Sequence, residues 1–413
     1  MMCEPIESFM LESGIHPGAI DLENETQRLL SEMRLSLESA SGALHMYPSR
    51  IALPEGPPPE GRAIALDAGG THFRVAVVAF RGGAASIEYR ASYPMPGTDG
   101  TITKSEFLRR CALYVEPVLG MSDKVGYVFS YPAEILPDRD GRLRLFQKEV
   151  SVPGSEGMVV CAELESELKR RGAAGERSYV LLNDTVASLV GAYVSSSGRE
   201  YDGALGLVYG TGTNTCYYDR CAGQIINMES SSYTLFPKSV FDLRLDAGSA
   251  EPGDNLYEKM AASAYTGGLI TLCAEAAAEK GLFSGGFAEA IKKNGPLTAM
   301  DADVFMRTGQ GIFSDLCRTP EDSFRLRRVT ELIYDRAAAL GCVVLTAAME
   351  MSGAGIRGPA CIAAEGAGFW DSVLYAPKLR RAMDEFAGSK KRRKFEFVRT
   401  EDANLIGAAA AAL

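Results

Sequence analysis

Hydrophobic and polar positions along the chain follow patterns that predict a succession of helices and strands. Residues 3–46 repeat apolar positions at helical spacing, with one stripe formed by Leu22, Leu29, Leu30, Met33 and Leu37. The segment 54–61, rich in proline and glycine, then interrupts this pattern. It predicts a linker or crossing loop between an N-terminal helical arm and the first sheet.

One unit, a strand followed by a glycine turn and a second strand, occurs twice in the chain. The first copy covers residues 62–80, with its turn at 68–71. The second copy covers residues 204–219, with its turn at 210–213. Two copies at this separation indicate an internal duplication.

Shorter runs predict the remaining elements. Strands are expected at 85–93, 125–130, 178–182, 360–364 and 395–399, and helices at 105–118, 157–171, 185–194, 376–387 and from about 403. After residue 229 the pattern predicts a loop up to residue 256 and then a mostly helical region up to about residue 350. Residues 353–358 match G-x-G-x-x-G, but they follow a helix and precede a strand, the reverse of a dinucleotide-binding fingerprint. They therefore predict a helix stop and a loop.

Composition limits the class of protein. A chain of 413 residues is expected to form two domains rather than one core. A net charge of −10 argues against a general nucleic-acid or anionic-membrane binder, which needs a basic surface. The nine cysteines include no CxxC pair, which is typical of reduced thiols and argues against a disulfide framework. The three histidines are far apart in the sequence, which argues against a zinc site made of Cys and His.

Neither a secretory leader nor a membrane span is predicted. The N-terminus is acidic and lacks a basic segment followed by an apolar one. The longest apolar stretch, 337–348, is too short to cross a bilayer. We therefore expect a cytoplasmic protein.

The predicted strand 178–182 ends in a polar pair, Asn183 and Asp184, which directly precedes a predicted helix. Unpaired polar groups are costly to bury, so this pair needs a specific role. Asn and Asp are favoured helix N-caps, and these residues alone favour capping over catalysis. The alternative is a working carboxylate at the edge of a buried strand.

The two glycine turns suit the binding of phosphate groups. Glycine lets backbone N–H groups approach an anion closely, and a neighbouring Thr hydroxyl adds a donor. Asp67, at the end of the first strand, is a candidate for holding Mg²⁺ through water, with a turn-initiating aspartate as the alternative. Arg74 is either an outward strand charge or a brace for the loop. No G-x-x-x-x-G-K-[ST] occurs, which excludes a P-loop ATPase.

A second candidate set consists of polar residues at strand ends or in loops, among apolar or glycine neighbours. Its members are Ser130, Lys148, Asn183, Asp184, Asn214, Glu229 and Glu258. Each residue by itself is typical of a solvated or capping position. Together they supply the carboxylate acceptors and amide donors that a polyhydroxylated substrate needs.

Seven segments of the chain resemble motifs of the hexokinase family, within the actin-like sugar kinase superfamily. They lie at 66–74, 129–132, 146–148, 182–186, 210–214, 227–229 and 256–260. Segments 66–74 and 210–214 are similar to the two phosphate motifs of the family, and 182–186 is similar to its catalytic-base motif. The remaining four segments resemble its sugar-binding motifs.

The resemblance implies an α/β, actin-like (ribonuclease H-like) duplicated fold of two domains with a cleft between them. The small domain would comprise residues 62–183 and a C-terminal helix at about 402–413, and the large domain 184–401 with the helical arm 1–61. The implied activity is ATP-dependent phosphorylation of a hexose at its 6-hydroxyl, with Mg²⁺ as cofactor. Glucose is the favoured substrate, and mannose and fructose are further candidates.

The resemblance also implies a role for each candidate residue. Asp184 would be the general base, and Lys148 would balance developing charge. The hexose would be held by Ser130, Gln147, Lys148, Asn183, Asp184, Asn214, Glu229 and Glu258. ATP would be held by Asp67, Gly69, Gly70, Thr71, Arg74, Gly210, Thr211, Gly212, Glu365 and Gly366, with Asp67 serving Mg²⁺. The adenosine side would involve 365–368 and 404–408.

Several positions depart from the family pattern. His72 stands where Asn is usual, Gln147 where Thr is usual, and Ser230 where Trp is usual. Residues 365–367 read Glu-Gly-Ala in place of Asp-Gly-Ser, and the usual Ser-Gly pair near the C-terminus is absent. Every expected carboxylate is present.

Two other functions are compatible with these residues. A glycosidase would use two of Asp184, Glu229 and Glu258 as acid and nucleophile, but it leaves the duplicated glycine turns unexplained. A non-catalytic regulator that binds ATP or sugar on the same fold is the second alternative.

Overall fold

The computed structural model describes residues 4–39, 41–146, 150–196 and 199–413. The chain begins with an arm made of α1 (Glu4–Glu12), a 3₁₀ turn (Pro17–Ala19), α2 (Leu22–Ser39) and the short strand β1 (Tyr47–Pro48). The predicted apolar stripe is confirmed, because Leu29, Leu30 and Met33 are buried. Residues 51–60 form neither helix nor strand, as the proline and glycine content predicts.

A five-stranded sheet dominates the first half of the chain. The elements of this half are β2 (Gly61–Ala68), β3 (His72–Arg81), β4 (Ala84–Pro94), α3 (Lys104–Val115), β5 (Lys124–Phe129), β6 (Ala133–Ile135), β7 (Gly141–Leu143), α4 (Val160–Arg170), β8 (Ser178–Leu182) and α5 (Asp184–Ser195). The strand order is β4-β3-β2-β5-β8. Strands β2, β3 and β4 are antiparallel, whereas β5 and β8 run parallel to β2. Strands β6 and β7 form a separate hairpin.

The second half repeats this arrangement around a larger set of helices. Its elements are β9 (Ala204–Tyr209), β10 (Thr213–Asp219), β11 (Gln224–Asn227), α6 (Val240–Ala247), α7 (Leu256–Ala261), α8 (Ser263–Glu279), α9 (Phe287–Asn294), α10 (Ala299–Thr308), α11 (Ile312–Leu316), α12 (Pro320–Ser352), β12 (Ala360–Glu365), α13 (Ala367–Trp370), α14 (Tyr375–Met383), β13 (Phe395–Val398) and α15 (Ala403–Ala412). The strand order is β1-β11-β10-β9-β12-β13. A π-helical segment (Asp384–Lys390) extends α14.

Apart from β1, the two sheets have the same topology. Each starts with an antiparallel meander of three strands, and two further strands then add in parallel on the other side of the first. Parallel additions need helical crossovers, and these helices cover the sheets. The predicted duplication and the α/β fold class are therefore confirmed.

Helices α5 and α15 lie side by side, and α15 also contacts β2 and β5. Glycines allow this approach: a Cβ on Gly191 would lie 2.0 Å from the Ala403 carbonyl oxygen, and one on Gly407 would lie 1.9 Å from that of Ala187. The C-terminal helix thus packs against the first sheet, while α5 also contacts β9 and β12 of the second. The division of the chain at residue 183 remains a prediction.

Helix α12 corrects the expectation about the apolar run 337–348. The run lies inside a helix of 33 residues, which starts at a capping box on Thr319 and ends at Gly353 (φ 69°). By length and composition this helix could cross a membrane, but 89% of its most apolar window is buried inside the protein. It is the central helix of the second-half core, and the predicted loop follows it.

Candidate active site

Both glycine turns close antiparallel hairpins and are tied to neighbouring elements. In the first turn, Gly69 N donates to His72 O (3.1 Å), and Gly69 O accepts from the Tyr131 hydroxyl (2.7 Å). In the second turn, Gly210 N donates to Gly212 O (2.9 Å), and Gly210 O accepts from the N–H of Ser263 (3.0 Å). The two turns therefore have fixed backbones, as anion-binding turns require.

Asp67 lies within strand β2 and is only 1% exposed, so the alternative of a turn-initiating aspartate is wrong. Its register partner in β3 is Arg74, whose guanidinium forms an ion pair with the carboxylate. Arg74 therefore braces a buried carboxylate rather than the loop. Burial raises the pKa of Asp67 to about 6; Arg74 opposes this shift and Asp184 adds to it.

Asp184 is the first residue of α5, and Asn183 is its N-cap. The Asn183 side chain accepts from Thr185 N at 2.9 Å, and Asp184 Oδ1 accepts from the same N–H at 2.7 Å. The pair thus combines a helix cap with a carboxylate at the N-terminus of α5. The cap orients the Asp184 side chain at the end of β8.

Glu365, at the end of β12, completes a group of three carboxylates from both halves. Burial raises the pKa of Glu365, and the charges of Asp184 and Asp67 raise it further, while Arg74 lowers it. These electrostatic couplings place Asp67, Asp184 and Glu365 near one another, and Glu365 pairs with Val208 in the strand that leads into the second glycine turn. Within the described residues, no group of three carboxylate, His or Cys side chains is arranged to hold a metal ion.

The carboxylate of Asp67 is the candidate ligand for Mg²⁺. Among the described residues, its buried Oδ2 has no aligned hydrogen-bond donor, although it contacts the Arg74 guanidinium. One buried acceptor oxygen suits an ion that takes its other ligands from water and phosphate. The residues therefore fit Mg²⁺ held mainly by a nucleotide.

Asn404 lies beside Asp67 rather than in an adenosine pocket. Its Oδ1 accepts from Ser188 Oγ (2.6 Å), which leaves the amide N–H groups to favour the charged form of Asp67 and lower its pKa. Leu405, Gly407 and Ala408 are buried in the contact with α5 and β5. The segment 404–408 is thus mostly structural.

A narrow cleft between the two halves contains the predicted sugar-binding residues Asn183 and Glu229. Asn214 Nδ2 donates to Asn227 Oδ1 (2.9 Å), and Asn227 Nδ2 donates to Glu229 Oε1 (2.7 Å). Glu229 has a left-handed backbone (φ 44°), a conformation that is uncommon outside glycine and concentrates at functional sites. The remaining cleft wall is formed by Tyr47, Ser49, Phe129, Tyr131, Ala133, Ile135, Leu181, Leu182, Val186 and Asn227.

Glu258, one of the predicted sugar-binding residues, contacts the second glycine turn. Its Oε2 accepts from Thr213 N at 3.1 Å, and it would lie 2.5 Å from a Cβ on Gly212. Ser130 follows β5, where its N–H donates to Ala68 O (3.2 Å) beside the first turn. Gln147 and Lys148 lie outside the described residues.

A larger cavity, of about 640 Å³, lies beside the second glycine turn. Its walls are mostly apolar and include Thr211, Tyr265, Leu297, Met300 and Gly368. Gly366, at its edge, has φ 109°, and an added Cβ would lie 2.3 Å from Tyr209 O. Of the predicted adenosine-side residues, those at 367 and 368 therefore line a cavity large enough for a nucleoside.

The sequence did not predict Tyr47 as part of the site, and it predicted Asn227 only as a member of the segment 227–229, without a role of its own. Asn227 ends an apolar strand immediately before the Met228-Glu229 step, so its polarity was an available signal. Tyr47 belongs to the N-terminal arm and reaches the cleft because it pairs with Asn227 across β1 and β11. No local pattern indicates such a pairing.

Paired glycine hairpins, a duplicated sheet and a cleft with carboxylates define a phosphotransferase of the actin-like sugar kinase class. Two family models, both described as Hexokinase, match residues 11–194 and 204–413. The chain belongs to the hexokinase family. It is therefore a phosphotransferase with a hydroxyl acceptor, as predicted.

Individual relatives agree with this assignment. Hexokinase-1 of Schizosaccharomyces pombe is 27% identical, over 94% of this chain and 86% of the relative. The chloroplastic Hexokinase-4 of Oryza sativa subsp. japonica is 29% identical, over 94% and 84%. A hexokinase from Schistosoma mansoni complexed with glucose has a similar fold, with a TM-score of 0.78, 24% identity and coverage of 100% and 99% of the two chains.

Proposed function

We propose that the chain transfers the γ-phosphoryl group of ATP to the 6-hydroxyl of a hexose, foremost glucose, giving hexose 6-phosphate and ADP in the first step of glycolysis. The observation that carries this proposal is the position of Asp184. Its neighbour Asn183 lines the sugar cleft, while its charge acts on Asp67 and Glu365 beside the glycine turns. A carboxylate at this junction can reach both substrates.

Positioning and charge neutralisation account for most of the catalysis in phosphoryl transfer. Asp184 accepts the proton of the 6-hydroxyl as that oxygen attacks the γ-phosphorus. Asn183, Asn214, Glu229 and Glu258 orient the sugar, and the backbones of the two glycine turns bind phosphate oxygens. Asp67 would hold Mg²⁺ through water, and the ion supplies charge neutralisation at the phosphates. The adenosine fits the apolar cavity beside Thr211.

Water competes with the hexose as phosphoryl acceptor, so the site must exclude it. The cleft has walls from both halves of the chain, and closing them on the sugar removes solvent from Asp184. Lys148 and Gln147 remain proposed contacts to the sugar. We place the enzyme in the cytoplasm, in agreement with the eight unpaired cysteines among the described residues, six of which are buried.

A coupled assay of ADP release with glucose and Mg-ATP tests the proposal. Asp184→Ala is expected to bind glucose but to lose kcat by about 10²- to 10⁴-fold, because proton acceptance is lost. Asp123→Ala, which removes an exposed carboxylate remote from the cleft, is the matched control and should retain activity. Comparable turnover of both variants would refute the role of Asp184.

The same assay separates the alternatives. A non-catalytic regulator would bind glucose in a titration without any release of ADP. A glycosidase would act on glycosides without ATP, and membership of the hexokinase family argues against it.

A further inference from the structure

His72 is the first residue of strand β3 and directly follows the first glycine turn. Its side chain is exposed, and its Nδ1 lies 2.8 Å from the hydroxyl oxygen of Thr71, a predicted phosphate-binding residue. Within the described part of the chain, the other ring nitrogen, Nε2, forms no hydrogen bond. The imidazole is therefore held at one nitrogen and can bind a ligand through the other.

The side chain of His72 lies on the same face of the first sheet as that of Arg74. Residues two apart on a strand share a face, and Phe73 between them is buried on the opposite face against α3. Arg74 forms the ion pair with Asp67, and its charge also lowers the pKa of Glu365. His72 thus faces the side of the turn on which the carboxylates of the site lie.

The second glycine turn is followed by a residue of a different kind. Thr213, the first residue of β10, is 3% exposed, and its hydroxyl donates to Val208 O (3.0 Å). Its N–H donates to Glu258 Oε2. The polar groups of Thr213 are therefore occupied by contacts inside the protein, whereas the imidazole of His72 is exposed. Since the family usually has Asn at the position of His72, an ionisable group at the first turn is a feature of this chain.

The contact with Thr71 gives the imidazole two protonation states with different donors. In the neutral ring one nitrogen donates and the other accepts, so a Thr71 hydroxyl that donates to Nδ1 leaves the ring proton on Nε2. In the protonated ring both nitrogens donate. Nδ1 then donates to the Thr71 oxygen, and the hydroxyl proton becomes available to a second acceptor. Protonation thus adds one positive charge and one donor at the turn.

We infer that His72 is a further phosphate-binding residue of this chain and that it makes nucleotide binding stronger at acidic pH. The inference rests on the proposed function, which places the ATP phosphates at the glycine turns. Nε2 donates to a phosphate oxygen, and in the protonated ring this hydrogen bond is assisted by charge on both partners. Histidine side chains gain their proton between about pH 8 and about pH 5. The affinity for Mg-ATP should therefore rise as the pH falls through this range.

Other ionisable groups surround His72, and their titration must be separated from its own. Strands β2 and β4 and helix α15 pack against β3, and α3 covers the opposite face, where Tyr114 contacts Phe73. The charged side chains on the face of His72 and around the site are Asp67, Arg74, Arg90, Asp184, Glu365 and Asp402. Asp67, with a pKa of about 6, titrates in the same range. All of these groups are shared by wild type and a variant at position 72, so the ratio of their two dissociation constants at one pH isolates His72.

Titration of the full chain with Mg-ATP in the absence of hexose, at about pH 6 and about pH 8, tests the inference. His72→Asn places the usual family residue at this position, so the fold should be retained. We expect its dissociation constant to exceed that of wild type by about three- to fivefold at the lower pH, the effect of one additional charge pair near 4 Å in water, and by less than about twofold at the higher pH. In the coupled assay the KM for Mg-ATP should follow the same ratios, with an unchanged KM for glucose.

Two further variants sharpen the test. His72→Lys keeps a positive charge at both pH values, so it should bind Mg-ATP more tightly than His72→Asn by a similar factor at each. His45→Asn is the matched control, because this exposed histidine belongs to the N-terminal arm and lies beside Tyr47 rather than at a glycine turn. Its affinity for Mg-ATP should equal that of wild type at both pH values.

A His72→Asn ratio that is the same at the two pH values would overturn the inference, as would a His72→Lys affinity no higher than that of His72→Asn. Absence of ADP release with every hexose would instead overturn the proposed function, and the titration would still decide the role of His72.

Discussion

Asp67 and Arg74 lie opposite each other across the first glycine hairpin and form an ion pair with very unequal exposure. The Asp67 side chain is 1% exposed, whereas that of Arg74 is 45% exposed. The effect of burial on the pKa of Asp67 outweighs the opposite effect of the Arg74 guanidinium, and this pKa rises to about 6. The protein thus keeps a costly carboxylate beside the first glycine turn, in agreement with the proposal that Asp67 serves Mg²⁺.

The first prediction concerns stability and pH. The folded protein binds the Asp67 proton more tightly than the unfolded chain, since the pKa rises from 3.8 to about 6. The stabilisation linked to this group is full below about pH 4 and is lost as pH rises through about 6, by up to about 3 kcal/mol. Asp67→Asn should therefore become more stable relative to wild type over this range. Thermal midpoints of the ligand-free proteins at several pH values measure this difference.

The control for this experiment is Asp123→Asn, which changes an exposed carboxylate. Its difference from wild type should not vary over the same pH range. If the Asp67→Asn difference is equally independent of pH, the raised pKa of Asp67 is wrong.

The second prediction concerns Asn404, whose amide favours the charged form of Asp67. In Asn404→Ala the pKa of Asp67 should rise further, so that less of the carboxylate is charged near neutral pH. We expect the KM for Mg-ATP to rise by about tenfold, the loss typical of a hydrogen bond to a charged group, with an unchanged KM for glucose. Ser188→Ala, which removes only the group that orients Asn404, should have a smaller effect. A parallel rise of both KM values would indicate a general structural defect instead.

The third prediction concerns Asn227, which bridges Asn214 and Glu229. Asn227→Ala removes the hydrogen bonds of its side chain with Asn214, with the Glu229 carboxylate and with Glu229 N. We expect the KM for glucose to rise by about tenfold or more, with little change in the KM for Mg-ATP. Gln224→Ala on the same strand is the matched control, because Gln224 contacts Arg50 N outside the cleft. Equal kinetics of the two variants would contradict the bridging role.

Local patterns predicted most of the framework, because strand alternation and glycine turns are short-range signals. Strand β8 has its predicted bounds, and both glycine hairpins form where expected. The register of the first hairpin pairs Asp67 with Arg74. The sequence predicted that strand β2 ends at Asp67, one residue before its actual end at Ala68. Because the strand continues to Ala68, Asp67 lies within the sheet and is buried, and it does not begin the turn.

The composition of the site depended on contacts that no local pattern contains. Tyr47 reaches the cleft through a pairing with Asn227, distant in the sequence, and Glu365 meets Asp67 only when the two halves pack together. Asn404 comes to Asp67 through the packing of the C-terminal helix. Such contacts follow from tertiary packing, which periodicity and spacing do not describe.

The last prediction tests that packing at Gly407, where α15 meets α5. A Cβ at this position would lie 1.9 Å from Ala187 O and 2.7 Å from Gly191 N, so Gly407→Ala must push the helices apart. Overpacking of this kind costs about 1–3 kcal/mol, and the displaced helix carries Asn404 away from Asp67. We expect a lower thermal midpoint together with a raised KM for Mg-ATP. Gly120→Ala is the control, because no atom lies within 4 Å of its added Cβ. Equal midpoints for the two variants would show that α15 does not dock on α5 through this glycine.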